Sequence, residues 1–202
     1  EIMKKLLASI IMITMAFSTE WHSIITENPT AYTKEVVSNS ENTTTVKFTL
    51  NGYSLSQVNT ENGDAFRVST PLGASLLENG SPDLQKLSAS IRIPNDAHMN
   101  TRIESADYFT IDNIDIAPSK GNLSRLINPD EVNFIWNDSY SRDAFFPGKL
   151  SDSNTPYIFR EMRGLALNVY PFQYNPIQKT LKVYTEIIVT VFAQGPGQIN
   201  VI

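Results

Sequence analysis

Apolar and polar residues alternate along much of this chain. In "TVKFTLNGYSLSQV", Val46, Phe48 and Leu50 alternate with Lys47 and Thr49. A period of two is the mark of a half-buried β-strand. "NTENGDAFRVST" sets Asn62-Gly63 between two strand-like runs. Asn-Gly accepts positive φ at both central positions of a type I′ turn, so the pattern predicts a hairpin there. Gly80 and Pro82 mark a loop, and Ala89 to Ile93 reads as a strand that Pro94 ends. Met99 to Ser105 and Tyr108 to Ile116 read as two further strands, and "VNFIWND" as a short one.

The densest β signal is "YIFREMRGLALNVYPFQYNPIQKTLKVYTEIIVTVFA". Within it "YNPIQKT" reads as a hairpin connection, and Leu181, Val183, Thr185, Ile187, Val189 and Val191 share one face of a long strand. No helix of three turns is predicted outside residues 1–18. Many short strands punctuated by turns predict an all-β domain, an antiparallel β-sandwich or a jelly-roll-like barrel.

The beginning of the chain differs. Met3, Lys4 and Lys5 form a basic start, Leu6 to Phe17 an apolar run too short to span a bilayer, and Ala16-Phe17-Ser18 a small-residue site. This is the pattern of a secretory signal peptide over residues 1–18, with Glu1 and Ile2 as an upstream extension. Residues 19–43 are polar and aperiodic and are expected to be a flexible lead-in. The predicted sandwich covers 44–194, and 195–202 begin a linker.

Composition narrows the function. An apolar content of 41 % supports a packed core. A net charge of −5 opposes nucleic-acid binding and, once the signal is cleaved, docking on anionic membrane. With no cysteine there is neither a disulfide staple nor a thiol nucleophile.

No catalytic set emerges. His22 lies in the lead-in and His98 in the turn "PNDAHMN", with no nucleophile motif beside either. Asp112 and Asp115 in "IDNIDI" lack the spacing and glycine of an EF-hand. No cofactor and no metal site is expected. Aromatic residues gather over Trp136, Tyr140, Phe145, Phe146 and Tyr157. They read as core packing or as a partner-facing patch.

Of the seven arginines, Arg67, Arg92 and Arg102 lie in strand patterns, Arg142 in the aromatic loop, and Arg160 and Arg163 flank "EM" at a strand end. Arg125 alone sits in the middle of a polar loop, Pro118 to Asp130, with Gly121 before it and Asn128-Pro129 after it. A guanidinium is a planar fork of five donors that suits a buried carboxylate.

Four blocks, "IDIAPSKGNLSRLINPD", "SYSRDAFFPG", "PYIFREMRG" and "VYPFQYNPIQKTLKVYTEIIVTV", occur here in one order. Together they resemble the propeptide of gingipain-type cysteine peptidases, densely from Ile114 to Val191 and more thinly over "ENGSPDL" and "SIRIP". The resemblance implies a non-catalytic β-sandwich prodomain, made N-terminal to a caspase-like cysteine peptidase domain that is its partner in cis. It implies a secreted, latent zymogen of a Gram-negative bacterium, whose folding the prodomain assists. It also implies an inhibitory loop holding Lys120, Gly121, Ser124 and Leu126, with Arg125 filling the primary specificity pocket of an arginine-preferring enzyme. Phe145 and Phe146 are the expected second anchor. The catalytic domain would lie outside this chain, which is then a piece of a longer zymogen. The competing reading is a secreted β-sandwich module for binding or adhesion, indifferent to Arg125.

Overall fold

The structure is a computed structural model that describes residues 19–25 and 30–202. The expected signal peptide, residues 1–18, lies outside the described residues. In chain order the strands are β1 (Thr19–Ser23), β2 (Tyr32–Asn39), β3 (Thr43–Leu50), β4 (Gly52–Thr60), β5 (Gly63–Ser69), β6 (Ala74–Ser75), β7 (Gln85–Arg92) and β8 (Ala97–Ile111). After a long connection come β9 (Ser151–Ser153), β10 (Tyr157–Phe159), β11 (Met162–Val169), β12 (Phe172–Asn175) and β13 (Thr180–Pro196). The described residues contain no α-helix. Two short 3₁₀ turns, η1 (Pro129–Glu131) and η2 (Asp138–Ser141), punctuate the long connection.

The strands pair antiparallel throughout. One sheet runs β12-β13-β3-β2 with β8 on the other flank of β13, and a second runs β10-β11-β7-β6 with β9 beside β11. The two face each other as a sandwich. Val46 and Phe48 of β3 and Ile187, Val189 and Val191 of β13 pack with Leu87, Ala89 and Ile91 of β7 and Leu165, Leu167 and Val169 of β11. All of these are buried, which is what the alternation predicts. A third sheet, β1-β4-β5, covers a second core of Leu50, Tyr53, Val68, Leu84, Ile114, Ile116, Phe172, Tyr174, Leu181 and Val183.

Strand β13 crosses from one core to the other, and the register of its pairing shifts between Tyr184 and Glu186. The extra residue there is Thr185, which is half-buried where Val183 and Ile187 are buried. Leu181 and Val183 serve the second core, and Tyr184 and the buried residues from Ile187 onwards the first, with the bulge between them.

Four sequence expectations are corrected. Residues 19–43 contain two strands. Trp21 of β1 lies so close to Gly52 that a Cβ there would meet the indole, and His22 stacks on Tyr53 at 5.0 Å. A polar strand is held here by its ladder and by two ring contacts, which hydrophobic periodicity does not register. Met99–Ser105 and Tyr108–Ile116 are not two strands, because one strand, β8, runs from Ala97 to Ile111. The β4–β5 hairpin is present, but its turn is Glu61-Asn62 and only Gly63, at φ +109°, has positive φ. Residues 132–138 form no strand.

Candidate functional site

After β8 the chain passes under the third sheet and pairs with what it meets. Phe66 N–H donates to the Asp115 carbonyl (2.7 Å), and Ala117 N–H to that of Phe66 (2.8 Å). Asp83 N–H then donates to the Ala117 carbonyl (2.9 Å), and Ser119 N–H to that of Ser81 (2.8 Å). Ile114, Ile116 and Ala117 are buried along this run, so it is rigidly placed.

At Ser119 the chain leaves the body, and at Asn137 it returns. Gly80 holds both points: its N–H donates to the Ser119 carbonyl (2.9 Å), and its carbonyl accepts from Asn137 N–H (3.0 Å). The Asn137 side chain adds bonds to the Asn79 carbonyl (3.2 Å) and Ser81 Oγ (2.8 Å). Beyond the return point, the Tyr140 hydroxyl donates to the Ile116 carbonyl (2.8 Å), and burial raises its pKa far above that of a free phenol. Residues 120–136 therefore form a closed loop on a fixed base.

At its tip is a β-turn. Ile127 N–H donates to the Ser124 carbonyl (3.0 Å), so Arg125 and Leu126 occupy the two central positions. Ser124 Oγ also accepts from Leu126 N–H (3.4 Å). Arg125 is exposed and, among the described residues, has no hydrogen bond, ion pair or ring contact. Leu126 is 96 % exposed, the most exposed of the large apolar side chains among the described residues.

The rest of the loop is tied inward. Lys120 Nζ donates to the Pro129 carbonyl (2.7 Å) and sits 4.2 Å from the centre of the Phe134 ring. The Asn128 side chain caps η1 by accepting from Asp130 N–H (3.1 Å). Gly121, at φ +74°, passes Asn79 so closely that a Cβ would come within 3.0 Å of the asparagine Cβ. The five expected loop residues thus share one loop but divide by direction. Arg125 and Leu126 project outward, whereas Lys120 and Gly121 serve the base and Ser124 shapes the turn.

Phe145 and Phe146 lie elsewhere. Phe146 pairs with Tyr174 of β12 through both backbone bonds (2.8 and 2.9 Å) and packs on the second core. The half-buried Phe145 ring lies under Lys182, whose Nζ is 4.1 Å from its centre. No hydrogen bond or ring contact joins either ring to the Arg125 turn among the described residues. Trp136 stacks edge-on against Tyr140 at 6.5 Å, so most of the aromatic cluster is packing within the domain.

The remaining arginines are engaged, save Arg92. Arg67 pairs with Asp83 (3.3 Å), Arg102 with Glu104 (2.8 Å) and Arg142 loosely with Asp138 (4.0 Å). Arg160 lies over the Phe159 ring at 5.6 Å. Arg163 is only 1 % exposed, and its guanidinium donates to the carbonyls of Pro94 (2.8 Å), Ala97 (2.6 Å) and Ile199 (2.9 Å). Of the two aspartates in "IDNIDI", Asp112 accepts from the Thr180 hydroxyl (2.9 Å) and Asp115 pairs with Lys179 (2.9 Å).

The profile of the family Propeptide_C25 matches residues 22–200. Gingipain R2 of Porphyromonas gingivalis is 37 % identical over 146 residues, which are 72 % of this chain and 20 % of that protein. Lys-gingipain of the same species is 27 % identical over 158 residues, 75 % of this chain and 9 % of that protein. The chain thus spans about a fifth or less of the length of these relatives. Among solved structures, the complex of P. gingivalis RgpB pro- and mature domains matches with a TM-score of 0.81 and 35 % identity, covering 84 % of this chain and 89 % of that one. A structure described as an insight into the zymogenic latency of gingipain K matches with a TM-score of 0.71 and 25 % identity, covering 88 % of this chain and 100 % of that one.

Proposed function

The chain belongs to the Propeptide_C25 family, and on that premise we propose that it keeps a secreted gingipain-like cysteine peptidase latent by seating Arg125 in the enzyme's primary specificity pocket. It is a non-catalytic prodomain. Its partner is the peptidase domain of its own precursor, which it also helps to fold, and the precursor is exported by a Gram-negative bacterium after removal of residues 1–18.

The observation that carries this reading is the contrast within one loop. Lys120 is bound inward, whereas Arg125 stands at the tip, exposed and unpartnered. A guanidinium left in water at the head of a braced loop needs no internal contact to be broken before it enters an acidic cleft. Because residues 120–136 are already closed on Gly80, little chain entropy is lost on binding.

Latency requires that the inhibitor not be consumed. The Arg125–Leu126 peptide bond is the central bond of the β-turn closed by Ile127 N–H and the Ser124 carbonyl. Proteolysis needs the scissile carbonyl at near-attack distance from the thiolate, within reach of the oxyanion donors. A side chain can fill its pocket from the tip of a turn while the turn holds that carbonyl away from the nucleophile. Phe145 is the outward part of the second anchor.

The test is inhibition of the mature peptidase domain of gingipain R2 by the full chain. Arg125→Ala weakens it by ~2–5 kcal/mol, because a pocket carboxylate is left desolvated and unpaired. Arg142→Ala, in the exposed pair with Asp138, changes little. Equal losses from both substitutions, or no loss from either, would refute the role of Arg125.

A further inference from the structure

Seventeen residues of loop, 120–136, rise from the body, and their base alone does not set how far the tip stands out. The side chains that join the two limbs can. Lys120 is the first residue of the outgoing limb. Its ammonium donates to the Pro129 carbonyl on the returning limb (2.7 Å) and lies 4.2 Å from the ring of Phe134, further along the same limb. Phe134 is in turn fixed to the body: the Arg67 guanidinium of β5 lies 5.7 Å from its ring centre, and Arg67 is held by Asp83 at 3.3 Å. The ring also lies 6.4 Å from that of Trp136. One aromatic ring therefore meets a cation from the loop and a cation from the sheet.

We infer that Lys120 and Phe134 are positioning residues that brace the loop across its waist and fix the Arg125 turn in its non-cleavable pose. The inference rests on the reading of Arg125 as the pocket-filling residue and extends it to how the turn is held. Two features favour a brace over mere surface packing. The bonds are cross-limb, so each removes a hinge freedom that the base leaves open. Both side chains are also half-buried, in a loop whose tip is exposed from Ser124 to Glu131. A cation over an aromatic ring that is partly shielded from water is a strong contact for a loop. The lysine's other bond goes to a main-chain carbonyl, which any nearby donor could satisfy. Charge and length at position 120 are thus what the brace needs.

The test separates positioning from folding with two readouts on the full chain. The first is inhibition of mature gingipain R2, and the second is the rate at which trypsin cuts the Arg125–Leu126 bond, followed by mass. Lys120→Met keeps the stem and loses the cation. Phe134→Leu keeps the bulk and loses the ring. Each should weaken inhibition about ten-fold and speed cutting at that bond by a similar factor, with the melting temperature of the β-core nearly unchanged. Lys120→Arg should restore both readouts, since a guanidinium can also cap the ring and reach the carbonyl.

Unchanged inhibition and unchanged cutting in both Lys120→Met and Phe134→Leu would overturn the brace. So would failure of Lys120→Arg to restore them. If Arg125→Ala leaves inhibition intact, the pocket-filling reading fails instead. The cutting rates then still report whether the brace holds the turn.

Discussion

The main chains of Ser119 and Asn137 meet on opposite sides of a single residue, Gly80, which donates to one and accepts from the other. The loop that carries Arg125 is closed by that meeting. That tie fixes where the two limbs leave the body and where they rejoin it. Gly80 itself is fixed beside Ser81, whose exposure is nil and whose carbonyl accepts from Ser119 N–H.

Gly80→Ala tests this closure. Gly80 has φ +80°, and an added Cβ would stand 3.1 Å from both the Cβ and the backbone nitrogen of Asn137. The left-handed backbone alone costs an alanine about 1–2 kcal/mol, and the contact with Asn137 pushes the returning limb outward. Gly195→Ala is the control, since Gly195 has φ +76° with nothing within 4 Å of the new Cβ. Thermal melts should show comparable backbone losses in both variants. Only Gly80→Ala should also weaken inhibition.

Arg163 supports a prediction about stability. It is enclosed, and its guanidinium serves three carbonyls, two from the 94–97 turn and one from Ile199 beyond β13. The segment after β13 is otherwise held by backbone bonds from Gly197 N–H to the Asp96 carbonyl (2.6 Å) and Ile202 N–H to that of Asn95 (3.1 Å), and by the Asn200 side chain donating to the Pro156 carbonyl (2.6 Å); its Ile199 and Ile202 are more than half exposed. Arg163→Met fills the space but leaves the carbonyls without their donor, at a cost of about 1–3 kcal/mol for each that stays dry. Denaturant melts should show a loss of ~2–4 kcal/mol. Residues 197–202 should become the first site of proteolysis, with the inhibition of intact chain unaltered.

A pH effect follows from Asp152 in β9. Burial pushes its carboxyl up, but donors from Lys149, Asn168 (2.9 Å) and Tyr170 (2.8 Å) outweigh burial and hold it below the usual carboxylate range. A carboxylate whose pKa is lower folded than unfolded adds stability that is fully present above the unfolded value, about 3.9. That stability is lost as pH falls through the folded value. Asp83 acts in the opposite sense, since burial raises it against the pull of Arg67. The acid limb should therefore be compared between the native chain and Asp152→Asn. Below pH about 4 the difference in stability between the two should shrink, and a constant difference down to pH 2 would exclude the effect.

Parts of this molecule were legible in its sequence for a definable reason. Val46, Phe48 and Leu50 alternate because one side of β3 faces a core, and the pattern records that directly. Val132, Phe134 and Trp136 alternate equally well without a strand. Their chain lies against Arg67 and Tyr140 on one side but pairs with no neighbour. Alternation reports which side is covered, not whether a ladder exists. The loop around Arg125 was visible from its polar composition and flanking Gly121 and Pro129. The inward turn of Lys120 was not, since a lysine in a loop looks the same in sequence whether it caps a ring or meets water. Arg163 shows the same limit: three carbonyls converge on it from segments far apart in the chain, and no local signal marks their convergence.

Phe145 and Phe146 are adjacent in sequence and should separate in function. Phe146 packs on the second core with Tyr174 bonded to its backbone, so Phe146→Ala opens a gap at the edge of that core. Fully buried phenylalanines cost 3–5 kcal/mol on truncation, and a half-buried one should cost about 2 kcal/mol. Phe145 meets the body through the Lys182 ammonium at 4.1 Å, a contact worth about 0.5–1 kcal/mol where it is exposed. Phe145→Ala should therefore leave the melting temperature within about 2 °C of the native chain. If Phe145 is the outward half of a second anchor, its loss should weaken inhibition several-fold, additively with Arg125→Ala, because the two side chains share no contact. Non-additive losses would mean that the two loops bind as one element. No loss at Phe145 would leave the Arg125 turn as the whole of the inhibitory surface and make the phenylalanine a cover for Lys182.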